Sequence, residues 1–166
     1  MRRLVSMVPN GSVTGIDHSR LMTRIAHLRN IRAIREHRAF TYESRVEMLP
    51  ALPHNQFDKV VSVNSVYLWR RRIQCFIELK RRLSEGGTIL LTLEPRWTKN
   101  KLSQRMEGYR LVGELRLAGF SGVQLDFRTE RNRSFIVVSA INADSPNGVV
   151  PDNSQASRKL FRNESN

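Results

Sequence analysis

Residues 59–63 read Lys59-Val60-Val61-Ser62-Val63, and residues 88–93 read Thr88-Ile89-Leu90-Leu91-Thr92-Leu93. Between them, residues 68–83 carry Ile73, Phe76, Ile77 and Leu83 at helical spacing, and Glu85-Gly86-Gly87 makes a turn. A short apolar run bounded by turn residues is a buried strand, and an apolar face at steps of three and four is a helix. The stretch therefore predicts strand, helix, glycine turn and strand. Two strands joined through a helix lie parallel, and a parallel strand reads as a nearly continuous apolar run.

The same alternation extends outward. Upstream, Val13-Thr14-Gly15-Ile16 is a short strand ending at Asp17, and Ser19 is placed to cap a helix over 20–38. That helix would turn Leu21, Ile25, Leu28, Ile31 and Ile34 inward. Residues 39–43 form a further strand, and 49–56 a loop broken by Pro50, Pro53 and Asn55. Residues 1–8 are a helix that Pro9-Asn10-Gly11 stops. Downstream, 101–118 is an amphipathic helix closed by Gly119. Strands at 123–127 and 135–138 are joined by a charged turn over 128–133, which makes them an antiparallel hairpin. The expected fold is α/β: a mostly parallel sheet with helices on both faces and the hairpin at one edge. Residues 1–141 are expected to be one domain. From Asn142 the apolar pattern fades into Ser, Asn, Asp and Pro, so 142–166 is expected to be a disordered polar tail.

The 166 residues carry 28 Lys+Arg against 15 Asp+Glu, a net charge of +13. The tail is neutral, with Arg158, Lys159 and Arg162 balancing Asp144, Asp152 and Glu164, so the excess lies in 1–141. It concentrates at Arg20, Arg24, Arg29, Arg32, Arg35 and Arg38, and at Arg70-Arg71-Arg72 with Lys80, Arg81 and Arg82. An anionic partner such as nucleic acid would use such patches. The arginines are spread over helices without interleaved aromatics, which favours solvated helix faces. No apolar run approaches the roughly 20 residues of a membrane span. The single Cys75 excludes a disulfide framework and suits a reducing cytosol, and the apolar start is too short for a secretory signal. His18, His27, His37 and His54 lack a partner set for a metal.

Ligands of open parallel sheets bind past the carboxyl ends of the strands. Asp17 follows the first strand, where a carboxylate can accept both hydroxyls of a ribose or, equally, cap the next helix. Ser44-Arg45-Val46 follows the second, Asn64-Ser65-Val66-Tyr67 the third, and Glu94-Pro95-Arg96-Trp97 the fourth.

The order of these signals resembles class I S-adenosylmethionine-dependent methyltransferases. The stretch Val13-Thr14-Gly15-Ile16-Asp17-His18-Ser19 with Leu21-Met22 is similar to the family's second motif. Leu49-Pro50 with Phe57-Asp58-Lys59-Val60-Val61, the run 79–90, and Leu117-Ala118-Gly119-Phe120 with Val123 follow in the family's order. Residues 64–69 are closest to its small-molecule branch. The resemblance implies S-adenosyl-L-methionine as cofactor and a small-molecule methyl acceptor. It implies that Asp17 holds the ribose and that His18 and Met22 flank the adenine. Val46 would meet the adenine edge through its backbone, Arg45 standing where the family has an acid. Asn64 and Ser65 would line the methionine side.

The family's first strand and glycine-rich loop should precede the helix at 1–8, and the sequence opens after them, so the first βα unit is expected to be incomplete. A truncated or mis-started reading frame, or a degraded relative, would explain this, and neighbouring strand edges would be left unpaired. Methyl transfer leaves no obligatory catalytic signature. Tyr67, Trp69 and Trp97 would shape the acceptor pocket or simply pack, and His54 is either a base or an exposed loop residue. The competing class is a non-catalytic basic module that binds nucleic acid or another acidic partner. A Rossmann-like dehydrogenase, which would also use Asp17, is disfavoured by the Leu-Pro…Phe-Asp pattern and the hairpin.

Overall fold

The computed structural model describes residues 1–52, 56–98 and 100–143. The chain divides into two compact units, Met1–Pro53 and His54–Asn166. The expected tail, apart from Asn142 and Ala143, lies outside the described residues, as does His54.

In the N-terminal unit, α1 (Arg2–Met7) precedes β1 (Val13–Asp17), α2 (Arg20–Arg29), α3 (Ile31–Arg35) and β2 (Ala39–Glu43). β1 and β2 pair in parallel, with Val13 opposite Ala39 and Asp17 opposite Glu43. The helix expected over 20–38 breaks in two at Asn30. Its side chain donates to the Ala26 carbonyl at 2.6 Å, and its N–H bonds to His27. A short polar side chain that serves the backbone this way competes with the helix ladder. α3 then ends at His37, which takes a left-handed φ of 55° while Arg38 N–H reaches the Ala33 carbonyl.

The inward face of α2 also differs from expectation. Leu21 and Leu28 are more than 60% exposed, and Ile31 is exposed too. The side turned to the strands uses hydrogen bonds instead. Thr23 Oγ1 donates to the Asp17 carbonyl at 3.3 Å, His27 Nδ1 pairs with Thr41 Oγ1 at 3.2 Å, and Asn30 is buried. Ile25 and Ile34 of the expected face are half-buried, so periodicity, which counts only apolar residues, found the inward face in part and missed its polar members.

In the C-terminal unit, β3 (Phe57–Val63), α4 (Arg72–Arg82), β4 (Leu83–Leu93), α5 (Lys101–Leu117), β5 (Ser121–Glu130) and β6 (Arg133–Ile141) build a four-stranded sheet in the order β3-β4-β6-β5. β3 and β4 are parallel; β6 runs antiparallel to β4 and β5. The expected α/β class and terminal hairpin are both present. Arg131 and Asn132 close the hairpin with φ of 47° and 61°, the two left-handed residues of a type I′ turn. Within their own sheets, β1 pairs only with β2, and β3 only with β4.

α4 and α5 pack against each other; α4 also meets β4, and α5 meets β5 and β6. Ile89, Leu91, Leu93, Leu111, Leu115, Ile136 and Val138 are fully buried there, with Phe76 and Cys75 from α4. At Gly108 an added Cβ would lie 2.9 Å from Leu125, so the glycine lets α5 approach β5. Gly119 ends α5 as expected, with φ of 84°, its N–H on Arg116 and the Phe120 N–H on Leu115.

The hairpin strands are longer than expected, and two further boundaries moved. α4 begins at Arg72 rather than 68, because residues 66–68 form one 3-10 turn and the chain then extends through Trp69. β4 begins at Leu83 rather than 88, and Asn142 accounts for the join. Its Nδ2 donates to the carbonyls of Lys80, Leu83 and Ser84 at 3.2, 2.8 and 3.1 Å. Its backbone bonds to Gly86 and Gly87. The first residue assigned to a loose tail is a clamp on the end of α4.

Candidate functional site

Five of the seven residues expected to hold a cofactor stand at one end of the two-stranded sheet. Because β1 and β2 are parallel and in register, the connections that follow Asp17 and Glu43 leave from the same side. The Ser44 N–H donates to the Asp17 carbonyl at 2.9 Å and ties the two ends together. Asp17 Oδ1 accepts the Ser19 N–H at 2.8 Å, so the carboxylate does brace the start of α2. Ser19 itself caps the helix by accepting the Met22 N–H. One Asp17 oxygen remains, on a side chain 44% exposed, with His18 Nδ1 3.6 Å from Oδ1. His18 and Met22 are both exposed.

Arg45 and Val46 follow β2. Arg45 is exposed and precedes a 3-10 turn, Val46–Met48. Ser44, which sequence reasoning passed over, donates through Oγ to the Met48 carbonyl at 2.6 Å and fixes that turn.

Asn64 and Ser65 belong to the C-terminal unit, past the carboxyl end of β3. Asn64 adopts a φ of 50°, and its Oδ1 accepts the Glu94 N–H at 2.7 Å. That bond joins the ends of β3 and β4. Ser65 Oγ pairs with Ser62 Oγ at 2.8 Å. Both oxygens therefore serve the fold, and the Asn64 amide nitrogen is the group left to meet a ligand.

The aromatic residues divide. Trp69 packs on Phe76 at 5.6 Å between ring centroids. Tyr67, after β3, and Trp97, after β4, stack on each other at 5.3 Å and 46° while both stay about half exposed. With Trp69 they line an open cavity of about 510 Å³, together with Arg70, Arg71, Arg72, Glu107 and Arg110.

Arg72 joins α4 to α5. Its guanidinium donates to Glu107 at 2.5 Å and to Glu114 at 2.8 Å, with only a tenth of its side chain exposed. Burial pulls its pKa down, but the bonds to Glu107 and Glu114 outweigh this and raise it. Arg110 also reaches Glu114, at 3.1 Å. Sequence reading counted these residues only as charge. The available signal was three arginines at a helix start, where the helix dipole disfavours cations.

Glu94 closes the end of β4. Its carboxylate meets Arg96 at 2.8 Å and Arg133 at 3.8 Å. The hydrogen bond from Arg96 holds its pKa below the ordinary carboxylate value, so it stays ionised and is a weak base. Among the described residues, no group of three His, Cys, Asp or Glu is placed to hold a metal ion, and no helix is long and apolar enough to cross a membrane.

A family described as a methyltransferase domain matches residues 2–91. The chain belongs to that family. The uncharacterized methyltransferase YdaC of Bacillus subtilis (strain 168) is 24% identical over 129 residues, covering 77% of this chain and 68% of that protein. An S-adenosylmethionine-dependent methyltransferase from Aquifex aeolicus is similar in structure, with a TM-score of 0.67 and 17% identity over 86% of this chain and 75% of that one. The cyclase SpnF has a TM-score of 0.66 and 15% identity, over 86% of this chain and 71% of its own. At those identities the likeness is one of fold, and a cyclase among the neighbours shows that the fold hosts other chemistry. The family match spans the Asp17 connection and the Asn64 connection of this methyltransferase.

Proposed function

We propose that this chain transfers a methyl group from S-adenosyl-L-methionine to a small-molecule acceptor. The observation that carries the reading is Asp17: an acid at the carboxyl end of a parallel strand, within the family match, with one oxygen unspent and solvent-facing. A ribose hydroxyl can donate to that oxygen. His18 and Met22, exposed on the same connection, supply apolar and planar surface for an adenine, and the Val46 backbone its edge contacts. Arg45 puts a cation where the adenine edge would be read and so favours the ring's acceptor nitrogens. The Asn64 amide and Ser65 are assigned to the methionine end.

The bound cofactor supplies a methyl carbon activated by a positive sulfur. The residues of the chain form no bond in the transfer. They hold the acceptor in line and keep water out, which is where the rate enhancement of such a displacement comes from. No side chain is assigned as a base. Residues 1–141 are assigned to one methyltransferase-like domain working in the cytosol, which suits the buried Cys75. The arginines of α2 and α3 are exposed, and Arg38, between α3 and β2, is half-buried; we read them as solvated helix surface.

Isothermal calorimetry of the full chain with S-adenosylmethionine tests the reading. Binding is expected, with Asp17→Ala weakening it about 10-fold or more through loss of a charge-assisted bond. Failure of the unaltered chain to bind would overturn it, as would an Asp17→Ala affinity equal to that of the parent in a folded variant.

A further inference from the structure

The cavity at the β3 and β4 ends has a chemical character that names a class of acceptor. Tyr67 and Trp97 stand past the carboxyl ends of two adjacent parallel strands, where open α/β sheets bind ligands. Two large rings at about half exposure leave substantial apolar area in water. Their tilted contact, 5.3 Å between centroids, puts the two rings side by side as one apolar surface.

The charged residues of the lining, Arg70, Arg71, Arg72, Glu107, Arg110 and Glu114, are unequal in availability. Arg72 is committed to Glu107 and Glu114, and Arg110 leans on Glu114. Arg71 is exposed and has no carboxylate partner among the described residues. One uncommitted guanidinium beside an aromatic platform fits a planar ring that carries a single negative charge. The forked donor geometry of arginine matches a carboxylate, and a volume of about 510 Å³ accommodates a bicyclic acid.

We propose that this cavity binds the methyl acceptor and that the acceptor is an aromatic carboxylic acid, its ring on Tyr67 and Trp97 and its carboxylate on Arg71. The word acceptor rests on the methyl-transfer reading; the binding itself does not.

The test uses the full chain without cofactor and reads calorimetric affinity for three probes: 2-naphthoate, its neutral amide, and cyclohexanecarboxylate. 2-Naphthoate is expected to bind about 10-fold more tightly than the amide, the worth of one charge-assisted bond. It is also expected to bind about 10-fold more tightly than the non-planar acid, the worth of stacking. Arg71→Gln should erase the preference over the amide and leave the preference over cyclohexanecarboxylate. Trp97→Ala should do the reverse. Equal affinity for the three probes, no binding of 2-naphthoate, or unchanged preferences in the two variants would overturn the proposal. The separate titration with S-adenosylmethionine distinguishes the two failures. Naphthoate binding in a chain that ignores S-adenosylmethionine removes methyl transfer and keeps the site. The opposite result removes the site alone.

Discussion

The two units of the chain are stabilised by different means. The C-terminal unit buries Phe76, Ile89, Leu91, Leu93, Leu111, Leu115, Ile136 and Val138 almost completely beneath two helices. Among its described residues the N-terminal unit buries only Val5, Asn30 and Ala39 below a tenth exposure, and its two-stranded sheet carries helices that leave Leu21, Met22, Leu28 and Ile31 in solvent. What holds α2 in place is a row of polar contacts: Thr23 on Asp17, His27 on Thr41, and Asn30 on its own helix. Hydrophobic burial of a side chain contributes roughly 1.5–3 kcal/mol, and an intramolecular hydrogen bond about 1 kcal/mol net. The part of the chain with Asp17 therefore has the weaker internal support, and the part with the aromatic cavity has the stronger.

Cutting the chain at the boundary gives the largest effect. Residues 54–166 alone are expected to unfold in one cooperative transition followed by circular dichroism. Residues 1–53 alone are expected to show none, since an isolated two-stranded sheet is marginal in water. A cooperative transition from 1–53 would break the comparison outright.

The next effect lies within the strong unit. Arg72→Met leaves Glu107 without its cation and Glu114 with only the exposed Arg110 at 3.1 Å. Breaking such a buried pair costs about 3–5 kcal/mol. Chemical denaturation should show a loss of that order, partly restored when Glu114→Gln removes one of the stranded charges. A loss below about 1 kcal/mol would mean that the α4–α5 contact rests on packing alone.

A smaller effect is expected at Asn142. Asn142→Ala removes the amide that binds three carbonyls at the α4–β4 junction. Leaving such acceptors unpaired costs about 1–3 kcal/mol. Deleting residues 144–166 while keeping Asn142 should leave the melting temperature unchanged, which separates the clamp from the polar sequence after it.

The two units also differed in how well the sequence could be read. The strands at 39–43 and 88–93 announce themselves by composition, and burial enforces them. Gly119 is equally visible, because glycine reaches positive φ at low cost; the hairpin turn is tighter than the charged run 128–133 suggested, the strands closing to Glu130 and Arg133 around Arg131 and Asn132. The break at Asn30 was hidden, since an asparagine inside an apolar period looks tolerable until its side chain finds a backbone carbonyl. Asn142 was hidden by its neighbours: its composition is that of the tail, but its partners lie some 60 residues back. The site followed the same division. Asp17 was legible because a strand end and a helix cap are local. The aromatic side of the cavity was legible too, since Tyr67, Trp69 and Trp97 all line it; its charged side was not, because Arg72, Glu107 and Glu114 meet only where α4 packs on α5.

The finest test concerns the end of β4, beside the end of β3 and the cavity region. Glu94 receives the Arg96 guanidinium at 2.8 Å, and its own N–H is held by Asn64. The hydrogen bond from Arg96 lowers its pKa; the more distant charge of Arg133 acts in the same direction. A carboxylate with a lowered folded-state pKa stabilises the folded protein at pH values above its ordinary unfolded pKa. That contribution fades as the pH falls through the folded value, because protonation removes the acceptor Arg96 needs. A carbon-detected NMR titration should therefore find Glu94 titrating below the ordinary carboxylate value of a free glutamate. Arg96→Gln should move it back up towards that value, while Arg133→Gln, at 3.8 Å, should move it less. An unshifted Glu94 in the parent chain, or equal responses to the two substitutions, would mean that the contact at 2.8 Å does not persist in solution. The β3 and β4 ends would then be tied by the Asn64 bond alone.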